Sequence, residues 1–283
     1  MTKIIRKTLF GDVNMVQRAI DRLKAFEPKD GYYLAYSGGK DSIVIKRLAE
    51  MAKVNFEAHY NCTSVDPPEL VQFIKKQKDV FFDIPKDKNG KPITMWSLIS
   101  KKKLPPTRIA RYCCSDLKES SGKGKITITG VRWDESVNRK KNRGLINIGA
   151  KKGGIIYNDE NNEARRMVEH CYRTQKTLLN PIVEWTDNEV WEFIKKEKLE
   201  YCSLYDKGHK RLGCIGCPMS SRQKAELEEY PKYKKLYLMA FEKMLKNLDI
   251  EKCKWKNAQD VMDWWVGENK EKPIKGQTDF FDE

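Results

Sequence analysis

The sequence has no run of about 18 apolar residues, the length a helix needs to cross a bilayer, so no membrane span is expected. The opening residues Met1-Thr2-Lys3-Ile4-Ile5-Arg6-Lys7 lack the apolar core of a secretory signal, which makes the cytoplasm the default compartment. Without an export signal, the eight cysteines do not read as a disulfide framework. There is also no internal repeat, which excludes a solenoid or propeller.

What is present fits a soluble globular protein. The 283 residues suffice for one large α/β domain, or for one with a smaller appendage. The net charge of +15 favours anionic partners such as nucleotides, sulfonucleotides or nucleic acid. The lysines are spread along the chain, however, and Lys195-Lys196-Glu197-Lys198 reads as a solvated helix face, so solubility alone also accounts for them.

Apolar spacing predicts a helix over 13–26, then a buried strand over 32–36, a turn at Ser37-Gly38-Gly39 and a helix over 40–51. Strands are expected at 55–60, 80–84 and 126–129. Asp66-Pro67-Pro68-Glu69 reads as a helix start with Asp66 as its cap. Residues 142–166, rich in Gly, Asn and Lys, read as a loop or short hairpin insertion, and 178–182 as extended. Thr186-Asp187-Asn188-Glu189 is a capping box, followed by a helix; another helix is expected over 230–248, and a frayed polar tail from Gly267. Alternating strands and helices imply a parallel sheet with crossover helices. The expected division is a nucleotide-binding domain over 1–225 and a helical C-terminal extension over 226–283.

Ser37-Gly38-Gly39-Lys40-Asp41-Ser42 lies between a buried strand and a helix. The glycines let the backbone turn sharply, and the free N–H groups of the helix start then face an anion that the helix dipole favours. Ser37, Lys40 and Ser42 can add hydrogen bonds. The spacing is not that of a Walker A loop. Arg132 follows Gly130 at the carboxyl end of a strand, the edge where ligands collect in open parallel sheets. Arg132 and Arg139 carry forks suited to sulfate or phosphate, with Glu135 between them; a salt-bridge network capping a loop is the plainer reading. Asp66 is explained by its cap role, and Thr63 and Ser64 are weaker nucleotide candidates.

Two cysteine pairs, Cys113-Cys114 and Cys214-Ile215-Gly216-Cys217 followed by Pro218, offer four thiolates. Four thiolates can close a zinc site or hold an iron–sulfur cluster, and metal-free thiols are the third reading. Adjacent cysteines diverge and suit a cluster better than a single tetrahedral ion. Cys62, Cys171 and Cys202 read as packed small hydrophobes. Arg108, Arg111, Lys118, His209, Lys210 and Arg211 flank the pairs and can stabilise a thiolate or bind an anion. Trp255, Trp264 and Trp265 read as core packing, with a nucleic-acid surface as the other reading.

The 37–42 string resembles the PP-loop of ATP pyrophosphatases, which cleave ATP between the α- and β-phosphates. That resemblance implies a doubly wound, mostly parallel α/β sheet of the adenine nucleotide alpha hydrolase-like type. The chain from about residue 30 to 220 further resembles the phosphoadenosine phosphosulfate (PAPS) reductase branch. The resemblance rests on Asp66-Pro67-Pro68-Glu69, Cys113-Cys114, Gly130-Val131-Arg132-Trp133-Asp134-Glu135-Ser136 with Arg139, and Gly213-Cys214-Ile215-Gly216-Cys217-Pro218. It implies an adenine nucleotide on Ser37, Gly38, Gly39, Lys40, Asp41, Ser42, Arg132, Glu135, Arg139 and Arg211, and a [4Fe-4S] cluster on Cys113, Cys114, Cys214 and Cys217. Lys40, Asp41, Lys118 and Arg132 are its catalytic candidates.

Two chemistries follow from the resemblance. One is adenylation by ATP, with Mg²⁺ beside Asp41, and sulfur transfer from a donor such as a cysteine desulfurase, similar to DNA phosphorothioation and some tRNA thiolation enzymes. The other is reduction of PAPS or adenylyl sulfate to sulfite with thioredoxin. The intact loop favours the first. The reductases carry a C-terminal Glu-Cys-Gly-type motif, whereas the late cysteine here, Cys253, stands in Glu251-Lys252-Cys253-Lys254-Trp255 with no glycine after it. A nucleic-acid-binding module on the same fold is the third expectation.

Overall fold

The structure is a computed structural model, which describes residues 2–9, 11–119, 121–149, 154–248, 253 and 255–267. The elements run β1 (Ile5–Thr8), β2 (Gly11–Asn14), α1 (Met15–Ala25), β3 (Tyr32–Ala35), α2 (Lys40–Ala52), β4 (Phe56–Asn61), α3 (Pro68–Lys76), β5 (Val80–Asp83), α4 (Met95–Lys102) and α5 (Tyr112–Leu117). They continue with β6 (Ile126–Ile128), α6 (Val137–Asn142), β7 (Ile146–Ile148), β8 (Ile155–Tyr157), α7 (Asn162–Cys171), β9 (Thr177–Leu179), α8 (Asp187–Lys196), α9 (Gln223–Glu229), α10 (Pro231–Leu245) and α11 (Ala258–Val266).

The chain divides into two compact units. The first comprises residues 1–62, 67–84 and 118–212; the second comprises 63–66, 85–117 and 213–283. Residues 213–225, which the sequence groups with the nucleotide domain, thus fall in the second unit.

The first unit is built on a seven-stranded sheet in the order β5-β4-β3-β6-β9-β7-β8. The first five run parallel; β7 runs antiparallel to β9, and β8 antiparallel to β7. The sheet is mostly parallel and its strands alternate with helices, as expected. The chain winds from β3 out to β5, then resumes on the other side of β3 at β6. The carboxyl end of β3 is therefore a switch point, where the crossovers diverge, the edge at which open α/β sheets bind ligands.

Local chemistry explains the elements. Tyr32, Tyr33 and Leu34 are buried, as befits a central parallel strand covered on both faces. At the start of α8, Thr186 Oγ1 accepts from the Glu189 N–H and Glu189 Oε2 accepts from the Thr186 N–H, at 3.3 and 2.7 Å. The capping box is therefore formed as read. The core includes Leu34, Val44, Leu48, Ile128, Ile146, Trp185 and Phe193.

Three expectations need correction. The N-cap of α3 is Pro67, with no side-chain cap bond, and Asp66 is buried instead. The segment before α1 forms the antiparallel hairpin β1–β2, for which the sequence had suggested no structure. Residues 142–166 do hold a hairpin, β7–β8, but α7 begins at their end, capped by Asn161 accepting from the Ala164 N–H at 2.8 Å. The polar tail expected from Gly267 lies outside the described residues beyond Gly267 itself.

The second unit packs α4, α5, α9, α10 and α11 around an aromatic centre. Tyr237 contacts Trp96, Phe241 and Trp265 at ring separations of 5.0, 6.1 and 4.6 Å. Trp265 Nε1 donates to the Pro106 carbonyl at 2.6 Å, and Trp255 stacks at an angle on Trp264. These tryptophans pack within the unit, in keeping with the core reading. The described residues contain no helix long and apolar enough to cross a membrane.

Candidate functional site

The loop 37–42 sits at the switch point of the first unit. Gly38 has φ +71°, and a Cβ there would lie 2.7 Å from Ile74 Cγ1, so only glycine fits. Gly39 is the N-cap of α2 and provides no side-chain acceptor. Ser42 Oγ donates to the Gly39 carbonyl at 2.8 Å, and Ser37 Oγ accepts from the Gly39 N–H at 3.4 Å. The hydroxyls thus brace the turn. Among the described residues, the amides of Asp41 and Ser42 donate to nothing, as expected of the first turn of a helix.

The loop's charges form one network. Lys40 is buried; its Nζ lies 3.1 Å from Asp187 Oδ1 and 3.8 Å from Asp41 Oδ2, and donates to the Lys210 carbonyl at 3.5 Å. The Lys40 N–H donates to Tyr205 Oη at 2.9 Å. Arg132 is 1% exposed. Its Nε donates to Asp41 Oδ1 at 2.7 Å, its Nη2 to Asp187 Oδ1 at 2.8 Å and its Nη1 to the Trp185 carbonyl at 3.2 Å. The fork is thereby consumed by two carboxylates and a carbonyl. The plainer of the two sequence readings, a salt-bridge network, describes Arg132 in this state.

Close packing permits this arrangement. A Cβ on Gly130 would lie 2.8 Å from Asp41 Cβ, so glycine lets the strand end nest against the first turn of α2. Burial alone would raise the Asp187 carboxyl, but Lys40 and Arg132 together hold it below its ordinary range. Burial likewise lowers the Arg132 guanidinium, and Asp41 and Asp187 more than offset that.

Beside this network, Arg139 pairs with Glu135. Burial pushes the Glu135 carboxyl up, opposed by Arg139 and by the charges of Arg211 and Arg132. Burial pulls the Arg139 guanidinium down, and the nearby Arg211 adds to that. Arg132, Glu135, Arg139 and Arg211 are thus brought together around the loop's ion pairs. Lys118 is exposed, one residue past α5. Sequence reasoning missed two members of the site. Asp187 was read only as part of a capping box, and Tyr205 carried no signal at all.

In the second unit, the four cysteines gather. The Cys113 thiol is pushed far up, first by its hydrogen bond to Cys114, then by burial and by the charges of Cys114, Cys214 and Cys217. The two sequence pairs are therefore electrostatic neighbours. Arg111 Nη2 donates to Cys114 Sγ at 3.5 Å, and Cys214 Sγ donates to Thr63 Oγ1 at 3.8 Å. Thr63 also accepts from the Val65 N–H, and Ser64 Oγ accepts from the Met95 N–H, so both candidates serve the packing of this unit. A Cβ on Gly216 would press on Leu227, Trp265 and Tyr237 at 3.0–3.3 Å, which keeps the C-x-x-C turn against the aromatic centre. Among the described residues, no group of three or more His, Cys, Asp or Glu side chains is assembled tightly enough to count as a metal site. The donor set itself, four thiols with a cationic donor and an apolar wall, has the soft-ligand chemistry that iron–sulfur clusters and zinc both take. Cys171 and Cys202 are buried, and Cys62 and Cys253 half-buried.

Residues 31–220 match the phosphoadenosine phosphosulfate reductase domain. The chain belongs to that family. An uncharacterised protein of Methanocaldococcus jannaschii is 30% identical over 219 residues, 74% of this chain and 45% of that protein. The chain thus spans under half of that relative. An adenosine 5′-phosphosulfate reductase of Bacillus mycoides is 25% identical over 202 residues, 68% of this chain and 75% of that one. Among solved structures, a phosphoadenylyl-sulfate (PAPS) reductase from Candida auris, in a phosphate complex, aligns with a TM-score of 0.46 at 15% identity, covering 70% of this chain and 87% of that one.

Proposed function

We propose that this member of the PAPS reductase domain family binds an adenine nucleotide on residues 37–42 and uses it in sulfur chemistry, by ATP-dependent adenylation followed by sulfur transfer. The observation that carries the reading is the intact Ser37-Gly38-Gly39-Lys40-Asp41-Ser42 loop at the switch point, with a buried Lys40 and two open amides at the start of α2. A substrate oxygen forms a bond to the α-phosphorus of ATP and gives up its proton to solvent. The α–β anhydride breaks and pyrophosphate leaves. The terminal sulfur of a persulfide donor such as a cysteine desulfurase then attacks the activated carbon and AMP leaves; a second thiol cleaves the resulting substrate–donor disulfide, leaving sulfur on the substrate while the two thiols are oxidised to a disulfide.

In this reading the loop amides and Lys40 hold the phosphates. Asp41 would be the loop carboxylate available to a Mg²⁺, which when bound would offset the charge on pyrophosphate. Arg132 positions Asp41, and Arg139 and Arg211 provide further cationic contacts. Cys113, Cys114, Cys214 and Cys217 would hold a [4Fe-4S] cluster, which when bound supplies an iron or electrons for handling sulfur.

The second reading is a sulfonucleotide reductase, favoured by the Bacillus mycoides relative, which is named as one. There the loop grips a sulfonucleotide rather than ATP, thioredoxin is the reductant and sulfite the product. Anaerobically purified protein, analysed for iron and sulfide, separates the two. Pyrophosphate release from ATP without sulfite from PAPS or adenylyl sulfate supports adenylation. Sulfite release supports reduction and removes the first reading. Unchanged nucleotide binding and turnover in Lys40→Ala removes the loop from both.

A further inference from the structure

The first N–H of α2, that of Lys40, is the donor best placed to meet a phosphate oxygen at a helix start, and Tyr205 Oη already occupies it at 2.9 Å. An N–H serves one well-aligned acceptor at a time, so a phosphate oxygen and the phenol compete for the same direction. We propose that Tyr205 is a built-in stopper of the phosphate loop: its hydroxyl holds the Lys40 amide and has to be displaced for a nucleotide phosphate to reach that N–H. The proposal rests on the nucleotide-loop reading and adds to it a residue that sets the loop's affinity.

The rest of the geometry supports a fixed stopper rather than a chance contact. Tyr205 stands in a turn in which its own N–H donates to the Cys202 carbonyl at 3.1 Å, and the Gly208 N–H donates to the Tyr205 carbonyl at 3.1 Å. Leu204 beside it is fully buried. The ring packs edge-on against Trp191 at 5.1 Å and against Tyr201 at 6.2 Å. The Lys40 ammonium lies 5.9 Å from the ring centre. A Cβ on Gly39 would lie 3.5 Å from the hydroxyl, so the phenol also covers the glycine turn over which a phosphate would have to settle. Burial pushes the Tyr205 phenol well up, which keeps it a neutral hydroxyl rather than a phenolate. A neutral acceptor yields to an anion, because hydrogen bonds to charged acceptors are roughly twice as strong. At the Lys40 amide a ligand therefore enters by exchange with Tyr205, while the Asp41 and Ser42 amides stand open to it.

The test is calorimetric titration of the full chain with Mg·ATP and, separately, with pyrophosphate, comparing the native protein with Tyr205→Phe. The substitution keeps the ring and its packing on Trp191 and removes only the competing oxygen. Binding is expected to tighten by about 2- to 10-fold, the worth of one net hydrogen bond. In the otherwise native chain, pyrophosphate should also change the tryptophan emission, and Trp191→Phe should abolish that change. This second measurement does not depend on how well the Tyr205 variant folds. Weaker binding by Tyr205→Phe would make the hydroxyl a ligand of the anion and overturn the stopper. Equal binding, or an emission that pyrophosphate leaves unmoved, overturns it too. If the native chain and Tyr205→Phe both bind neither probe, while circular dichroism shows them folded, the nucleotide-loop reading falls and the stopper with it.

Discussion

Arg132 shows how one side chain organises the loop. Its side chain is 2% exposed, and it faces two carboxylates from segments 91 and 55 residues away in sequence. Removing it leaves Asp41 and Asp187 facing each other with only Lys40 to share. Arg132→Met should therefore cost about 3 kcal/mol, the lower end for breaking a buried pair, since Asp187 is half exposed. Arg132→Lys should not restore the loss, because an ammonium cannot span both carboxylates. Urea unfolding of the three proteins measures both effects. Asp187 provides the pH counterpart. Its folded carboxyl is held below the ordinary value, so its contribution to stability is complete above the unfolded range and is lost as pH falls through the depressed value. Between about pH 5 and about pH 2 the melting temperature should fall less steeply in Asp187→Asn than in the native chain. An equal slope would detach Asp187 from Lys40 and Arg132.

Single elements set the loop's shape. The β3–α2 turn works because Gly38 adopts φ +71° with the side chains of Leu70 and Ile74 against it. In Gly38→Ala, a methyl group meets Ile74 at 2.7 Å in a backbone conformation that L residues avoid. Destabilisation of about 1–3 kcal/mol is expected from the overpacking alone, together with loss of nucleotide affinity. Thermal unfolding with and without Mg·ATP reads both. At this scale much was legible. The glycine turn, the buried β3 and the Thr186 capping box are written in four to six consecutive residues, and local backbone rules suffice to read them. The Asp66 cap failed for a local reason as well: the helix begins at Pro68 with Pro67 as its N-cap, and Asp66 belongs to the second unit. The hairpin β1–β2 gave a weak signal because most of its residues are polar and exposed. Helix α7 does carry a buried stripe at helical spacing, Ala164, Val168 and Cys171, but the stripe is narrow and follows the Gly-, Asn- and Lys-rich segment, so in sequence it reads as part of that loop.

At the scale of the molecule, the chain carries two hydrophobic cores, one in each unit. The second unit brings Cys113 and Cys114 on α5 to Cys214 and Cys217, which lie about a hundred residues later in the sequence. If the four thiols hold a cluster, Cys214→Ser should lower iron and sulfide per chain after anaerobic purification to less than about half, since a cluster needs all its thiolates. Loss of the characteristic visible absorbance should accompany it. Iron content equal to that of the native chain would leave the thiols as a metal-free group.

The sequence by itself determined the alternating strands and helices, the phosphate turn and the presence of two thiol pairs, because each is set by neighbouring residues acting through backbone geometry. The tertiary structure alone decided what those pieces face. It turned Arg132 from a free anion ligand into a buried clasp on Asp41 and Asp187, gave the Lys40 amide to Tyr205 from 165 residues away, and placed Thr63 beside Cys214. Charges and hydroxyls act over a few ångströms in space, and chain order does not record which of them will meet.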